Sequence, residues 1–262
     1  MIIDFHTHMF PHILAERTLL KLSAFAGMDP HTDGTYEGLL SSQRKAGIDC
    51  SIVLPIATKP SQFRTVNDFA SRYLSGEVIS FGSVHPASPD YKLELRELKS
   101  RGFKGIKLHP DYQDMYFNDI RCKRVVACAA ELDLIVTVHA GLDPKCPEDI
   151  HCTPKMAAEV LDEVRPGKLV LAHLGGNARW DDVERYLVGR DVYFDTGVVF
   201  DYMDAERFIR IMRAHGSDKI LFATDSPWAE QKRFVDVMDA LPLVEKERER
   251  IMGENALGLL GL

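Results

Sequence analysis

The chain has 262 residues, 45% of them hydrophobic, and sets 32 Lys and Arg against 39 Asp and Glu for a formal charge of -7. That length and apolar content suit a soluble globular fold with a large core. The acidic balance argues against nucleic acid or an anionic membrane surface and for a small-molecule partner. No apolar run approaches the roughly 20 residues that cross a bilayer and no leader is visible, which points to the cytoplasm. Five cysteines at irregular spacing (Cys50, Cys122, Cys128, Cys146, Cys152) fit reduced thiols better than a disulfide framework.

In chain order, short runs rich in Val, Ile, Leu and Phe occupy residues 2–6, 48–54, 78–84, 103–108, 134–139, 168–173, 191–195 and 219–223. Stretches of helical periodicity lie between or after them at 36–45, 62–74, 91–99, 120–132, 154–164, 181–187, 204–215 and 232–241. Gly47 and Gly102 punctuate helix ends, and Thr153-Pro154 opens a helix. Near-continuous apolar strands alternating with helices describe a (β/α)8 TIM barrel, a single domain over residues 1–262. A doubly wound sheet is the other option, but no glycine-rich dinucleotide or phosphate loop follows the first strand.

In such a barrel the reactive groups sit at the carboxyl ends of the strands. The first strand ends in Asp4-Phe5-His6-Thr7-His8, where period-two alternation puts Asp4, His6 and His8 on one face. The fourth ends with Lys107 and His109, the fifth with His139, the sixth with His173 and the eighth with Asp225. Ionisable groups gathered on one rim cost several kcal/mol, of order, if buried without partners, so a bound cation is the simplest reason for them. His12, His31, His85 and His215 lack this placement.

The segments DFHTH, VHAG, LAHLGG, LFATDSPW and GENALGLL, in this order from Asp4 to Leu260, resemble the amidohydrolase superfamily. More narrowly, the chain resembles the amidohydrolase-2 branch, which includes the aminocarboxymuconate semialdehyde decarboxylase group. The resemblance implies that His6, His8, His139 and Asp225 hold one divalent metal, with zinc the default and manganese, iron or cobalt the alternatives. It implies that His173 polarises a water on that metal, or binds a second metal in binuclear relatives. Asp225 would be ligand and proton carrier at once, beside a water whose pKa the cation lowers from about 16 toward 7.

Lys107 is open to two readings: a carboxylated bridge between two metals, or an ammonium that meets a substrate carboxylate or an internal acid. His109 stands beside it, and the mononuclear site is the preferred expectation. Arg179 could grip a carboxylate, while Trp180 and Trp228 could cover an apolar part of the substrate. The loop Cys146–Cys152 could supply a further thiol or imidazole, although C-x5-C with one His is poor zinc spacing.

The leading expectation is a metal-dependent hydrolase of an amide, lactam, lactone or ester. The alternative is nonoxidative decarboxylation of an unsaturated or aromatic acid with the same metal and His173. A third reading is a metal-containing binding protein without catalysis. Hydrolysis is preferred because only about 27 residues separate His8 from the first expected helix, leaving little room for the insertion that longer decarboxylases carry. A symmetric homodimer is the default assembly.

Overall fold

The computed structural model describes residues 1–262, and the chain divides into two compact units. The first comprises Met1–Val53, Ser75–Ile79 and Asp195–Leu262. Its leading strand β1 (Ile3–Thr7) pairs in parallel with β2 (Cys50–Val53), Ile3 against Cys50 and Asp4 against Ser51. Every residue of both strands is buried, the polar Asp4, His6, Thr7 and Ser51 included, so the alternation along β1 sorts two buried faces rather than core from solvent. On the other side of β1, Phe5 N–H donates to the Phe222 carbonyl at 2.9 Å and Asp225 N–H to the His6 carbonyl at 2.8 Å. His8 N–H reaches the Ser226 carbonyl at 2.6 Å. These bonds hold the ends of two distant segments side by side.

The second unit comprises Leu54–Leu74 and Ser80–Phe194. Its strands run parallel in the order β4 (Gly82–Ser83), β5 (Gly105–Leu108), β6 (Ile135–Val138) and β7 (Leu169–Leu171), with β8 (Tyr193–Asp195) next. Register places Lys107 beside Ser83 on one flank and Thr137 on the other. The loops after β6 and β7 are pressed together at Gly141, whose φ is +88° and whose Cβ, if it had one, would lie 2.1 Å from the Asn177 amide nitrogen. Only glycine tolerates that approach.

The expected strands are present, the first shifted by one residue and the others with shorter bounds, and the third splits into β3 (Val78–Ser80) and β4. All of the expected helices form, including α5 (Ile120–Glu131), α6 (Pro154–Val164) and α10 (Gln231–Ala240). Sequence reading missed α1 (His12–Ala26). Its apolar residues lie on all sides, with Ile13, Leu14, Leu20 and Phe25 exposed while Ala15 and Leu19 are buried, so no single apolar stripe marks it.

Candidate metal centre

In the first unit the end of β1 and the segment after β9 (Ile220–Leu221) bring three donor atoms together. His6 Nε2 lies 3.2 Å from His8 Nε2 and 3.3 Å from Asp225 Oδ1, and His8 Nε2 is 3.0 Å from the same oxygen. Asp225 sits in the left-handed region at φ 69°, a conformation costly for a residue with a Cβ and common where a side chain must be aimed. Behind the triad, buried Asp4 ties β1 to the segment bearing Asp225. Its Oδ2 accepts from Thr224 Oγ1 at 2.6 Å and Gln231 Nε2 at 2.8 Å, and its Oδ1 from Thr224 N at 2.9 Å. Burial pushes the Asp4 carboxyl up to about 7 despite these donors.

A divalent metal fits this arrangement. His6 Nδ1 lies 2.9 Å from Asp195 Oδ2, and Gly197 N–H donates to the other Asp195 oxygen at 3.0 Å. A carboxylate at that distance holds the proton on Nδ1, which turns a lone pair on Nε2 toward His8 and Asp225. Three electron-pair donors facing one another at 3.0–3.3 Å repel unless a cation lies among them. A tetrahedral ion with bonds of about 2.0–2.1 Å spaces its ligands about 3.3 Å apart, close to the triangle observed.

The second unit carries its own histidine group. His139, at the end of β6, places Nδ1 3.0 Å from His173 Nε2, and the two rings meet edge to face with centroids 4.8 Å apart. His109 stacks on His139 at 4.2 Å and on Tyr112 at 4.1 Å. Asp143 Oδ2 lies 3.5 Å from His109 Nε2 and 3.8 Å from His139 Nε2. His173 is in the left-handed region at φ 59°, and the indole of Trp180 donates to its carbonyl at 3.1 Å.

Of the residues singled out in the sequence, His6, His8 and Asp225 thus converge in the first unit, and His109, His139 and His173 in the second. Lys107 is fully buried on β5. Trp180 is buried and spends its N–H inside the turn after β7. Arg179 is exposed and pairs with Asp182 at 3.4 Å. Trp228 follows Asp225 closely, its amide donating to the Asp225 carbonyl at 2.9 Å. Sequence reasoning missed Asp195, although it closes a strand that was read correctly, and the two loop carboxylates Asp111 and Asp143.

A model of the amidohydrolase family matches residues 3–262. No curated protein matches the chain. Among solved structures, 2,6-dihydroxybenzoate decarboxylase from Rhizobium is 17% identical with a TM-score of 0.74, covering 99% of this chain and 98% of that one. A 5-carboxyvanillate decarboxylase from Novosphingobium aromaticivorans, complexed with manganese and 4-hydroxy-3-methoxy-5-nitrobenzoic acid, is 14% identical with a TM-score of 0.73 over 100% and 96%. An uncharacterized TIM-barrel protein from Bordetella bronchiseptica is 17% identical with a TM-score of 0.75 over 100% and 99%. The fold is that TIM barrel.

These likenesses correct the leading expectation of a hydrolase acting on an amide, lactam, lactone or ester. The named enzymes sharing the fold are decarboxylases of aromatic acids. The stretch of about 27 residues between His8 and the first expected helix holds the 15-residue helix α1.

Proposed function

The chain belongs to the amidohydrolase family, and from that premise we propose that it is a metal-dependent, nonoxidative decarboxylase of a small aromatic carboxylic acid. The observation that carries the metal dependence is the convergence of His6 Nε2, His8 Nε2 and Asp225 Oδ1 at 3.0–3.3 Å, with Asp195 fixing the His6 tautomer. Support for decarboxylation comes from the whole-length likeness to enzymes of that class. His139 is the fourth ligand of the proposal, taken from the strand-end pattern and the family motif.

A divalent ion bound there supplies Lewis-acid charge that holds an anionic substrate and stabilises negative charge developing on it. Manganese, found with the Novosphingobium enzyme, is the first ion to test, with zinc second. Decarboxylation breaks the bond from ring carbon to carboxyl carbon, releases CO2 and forms a C–H bond in its place, so one proton enters per turnover. Asp225 is the group that carries it: one carboxyl oxygen faces the imidazoles while the carboxyl can still hold a proton on the other. His173 steadies the negative charge, its ring held by the contact with His139 and its backbone by Trp180. Arg179 and Trp228 are the proposed contacts to the substrate carboxylate and ring.

The test compares metal-stripped protein with protein reloaded with Mn2+ or Zn2+ on a panel of hydroxylated benzoates, following CO2 release and loss of the carboxylated aromatic. Metal-dependent CO2 release supports the reading. Hydrolysis of an ester or lactone panel without CO2 overturns it, as does metal-dependent ligand binding without turnover.

A further inference from the structure

A second group of metal-ligating side chains lies in the second unit, and neither the family motif nor the proposed reaction uses it. A carboxylate oxygen of Asp111, the thiol sulfur of Cys146 and a ring nitrogen of His151 lie within 4.8 Å of one another. They come from two places in the chain: Asp111 follows β5, while Cys146 and His151 belong to the loop between β6 and α6. The C-x5-C spacing that looked wrong for zinc is beside the point, because Cys152 is not a member and the carboxylate replaces it.

The loop is shaped before any ion arrives. Lys145 N–H donates to Asp143 Oδ1 at 2.8 Å, Cys146 N–H to the Asp143 carbonyl at 3.0 Å, and Asp149 N–H to the Cys146 carbonyl at 3.2 Å. Phe117 N–H anchors the far end by donating to the His151 carbonyl at 2.8 Å. Tyr116 holds the Asp149 carboxylate with its hydroxyl at 2.9 Å. An ordered loop loses little entropy when its side chains close on a ligand.

Asp111 is the second, independent sign. It is fully buried; His151 Nδ1 sits 3.2 Å from its Oδ1, while its Oδ2 makes no hydrogen bond and lies 3.8 Å from His109 Nδ1. A buried carboxylate oxygen left without a donor is costly, and a cation relieves that cost. The 3.2 Å separation of Asp111 Oδ1 and His151 Nδ1 is also the spacing of two ligands on one ion with bonds of about 2.0–2.1 Å. Burial, joined by the negative charge of Asp111, Asp143 and Asp149 and opposed by Lys145, pushes the Cys146 thiol up from its ordinary range. A divalent cation reverses that balance and draws the thiolate onto itself. Lys145, the neighbouring positive group, directs its ammonium to the Asp111 carbonyl at 2.7 Å, away from the carboxylate role.

We infer that Asp111, Cys146 and His151 form a second metal site, selective for thiophilic divalent ions of the zinc class, which staples the loop after β6 to the loop after β5. Carboxylate, thiolate and imidazole together favour zinc or cobalt over magnesium or calcium.

Cobalt can enter both sites, but only this one can give a thiolate-to-cobalt band, because His6, His8 and Asp225 offer no sulfur. Titration of Co2+ into the reduced, metal-stripped full chain should develop a thiolate-to-cobalt charge-transfer band in the near ultraviolet, displaced by added Zn2+. The band should vanish in Cys146→Ser and weaken in His151→Gln, with Kd raised at least tenfold, while circular dichroism stays that of the parent. On the unmodified chain, Zn2+ should protect Cys146 from iodoacetamide, read by peptide mass. No band, a band that survives Cys146→Ser, or alkylation of Cys146 at the same rate with and without Zn2+ overturns the inference.

Discussion

His6 and Asp195 stand 2.9 Å apart, Nδ1 against Oδ2, with both side chains withdrawn from solvent. The pair decides which nitrogen of His6 faces His8 and Asp225. Asp195→Asn removes the carboxylate that holds the proton on Nδ1, and carboxylates in this position are worth about 10–100-fold in metal affinity. The expected result is a Kd for Mn2+ or Zn2+ raised by that factor in a chelator-competition titration, with an unchanged fold by circular dichroism. Unaltered affinity would detach Asp195 from the metal site.

Asp225 has two tasks in the proposed reaction, and Asp225→Asn separates them in part. The amide oxygen still faces the imidazoles, but the side chain no longer carries an acidic proton. CO2 release from the benzoate panel should fall by about 10²–10⁴-fold, the span of a lost general acid, and more than metal content falls. Metal analysis beside initial rates checks the split.

Gln231 closes the support behind β1 by donating to Asp4 Oδ2. Gln231→Ala leaves the fully buried Asp4 with one donor fewer, a loss of about 1.5–3 kcal/mol for a hydrogen bond to a charged group when measured above about pH 7, where Asp4 is ionised. Urea unfolding should show the midpoint falling with an unchanged slope.

Gly141→Ala sets a methyl group against the backbone of Asn177, where only a hydrogen now fits. The two loops must separate, breaking Leu142 N–H to the Asn177 carbonyl at 2.9 Å and Asn177 N–H to the Ala140 carbonyl at 2.8 Å. A destabilisation of about 2–4 kcal/mol is expected from strain plus lost bonds, measured again by urea midpoint. Parent-like stability would mean that the loops have room to part.

Asp119 caps α5, accepting from Arg121 N at 2.8 Å and from the Arg121 guanidinium at 2.7 and 2.9 Å. That guanidinium holds its carboxyl down at about 2. The folded value lies below the unfolded one of about 3.9. The stabilisation is therefore complete above the unfolded value and disappears as pH falls through about 2. Asp119→Ala should cost about 0.5–2 kcal/mol at pH 7 and progressively less toward pH 2. Asp119→Asn should recover most of the cap and none of the pH dependence, read from thermal midpoints across that range.

Much of the strand pattern was legible because parallel strands buried on both faces write themselves as short runs rich in Val, Ile, Leu and Phe, and because ionisable residues gather at the carboxyl ends of several of them. His6, His8, His139, His173 and Asp225 stood out on that ground. Asp195 did not, since a single carboxylate after Tyr193-Phe194 looks like an ordinary strand terminus until His6 is seen against it. Asp111 and Asp143 were hidden for another reason: loop carboxylates carry no periodicity, and their meaning lies in which distant imidazole they face. Helix α1 escaped because its apolar residues ring the axis. The choice between hydrolysis and decarboxylation was beyond the motif, which specifies how a cation is held and leaves the reacting bond to the surrounding loops.

The triangle of His6, His8 and Asp225 joins residues 217 positions apart, and the His6 contact with Asp195 spans 189. Synthesis therefore completes the two histidines early and leaves them without their carboxylates until most of the chain has followed. The proposed metal centre can therefore close only late in synthesis, and a translation product that stops before Asp195 has two imidazoles to offer an ion but lacks both carboxylates that face them.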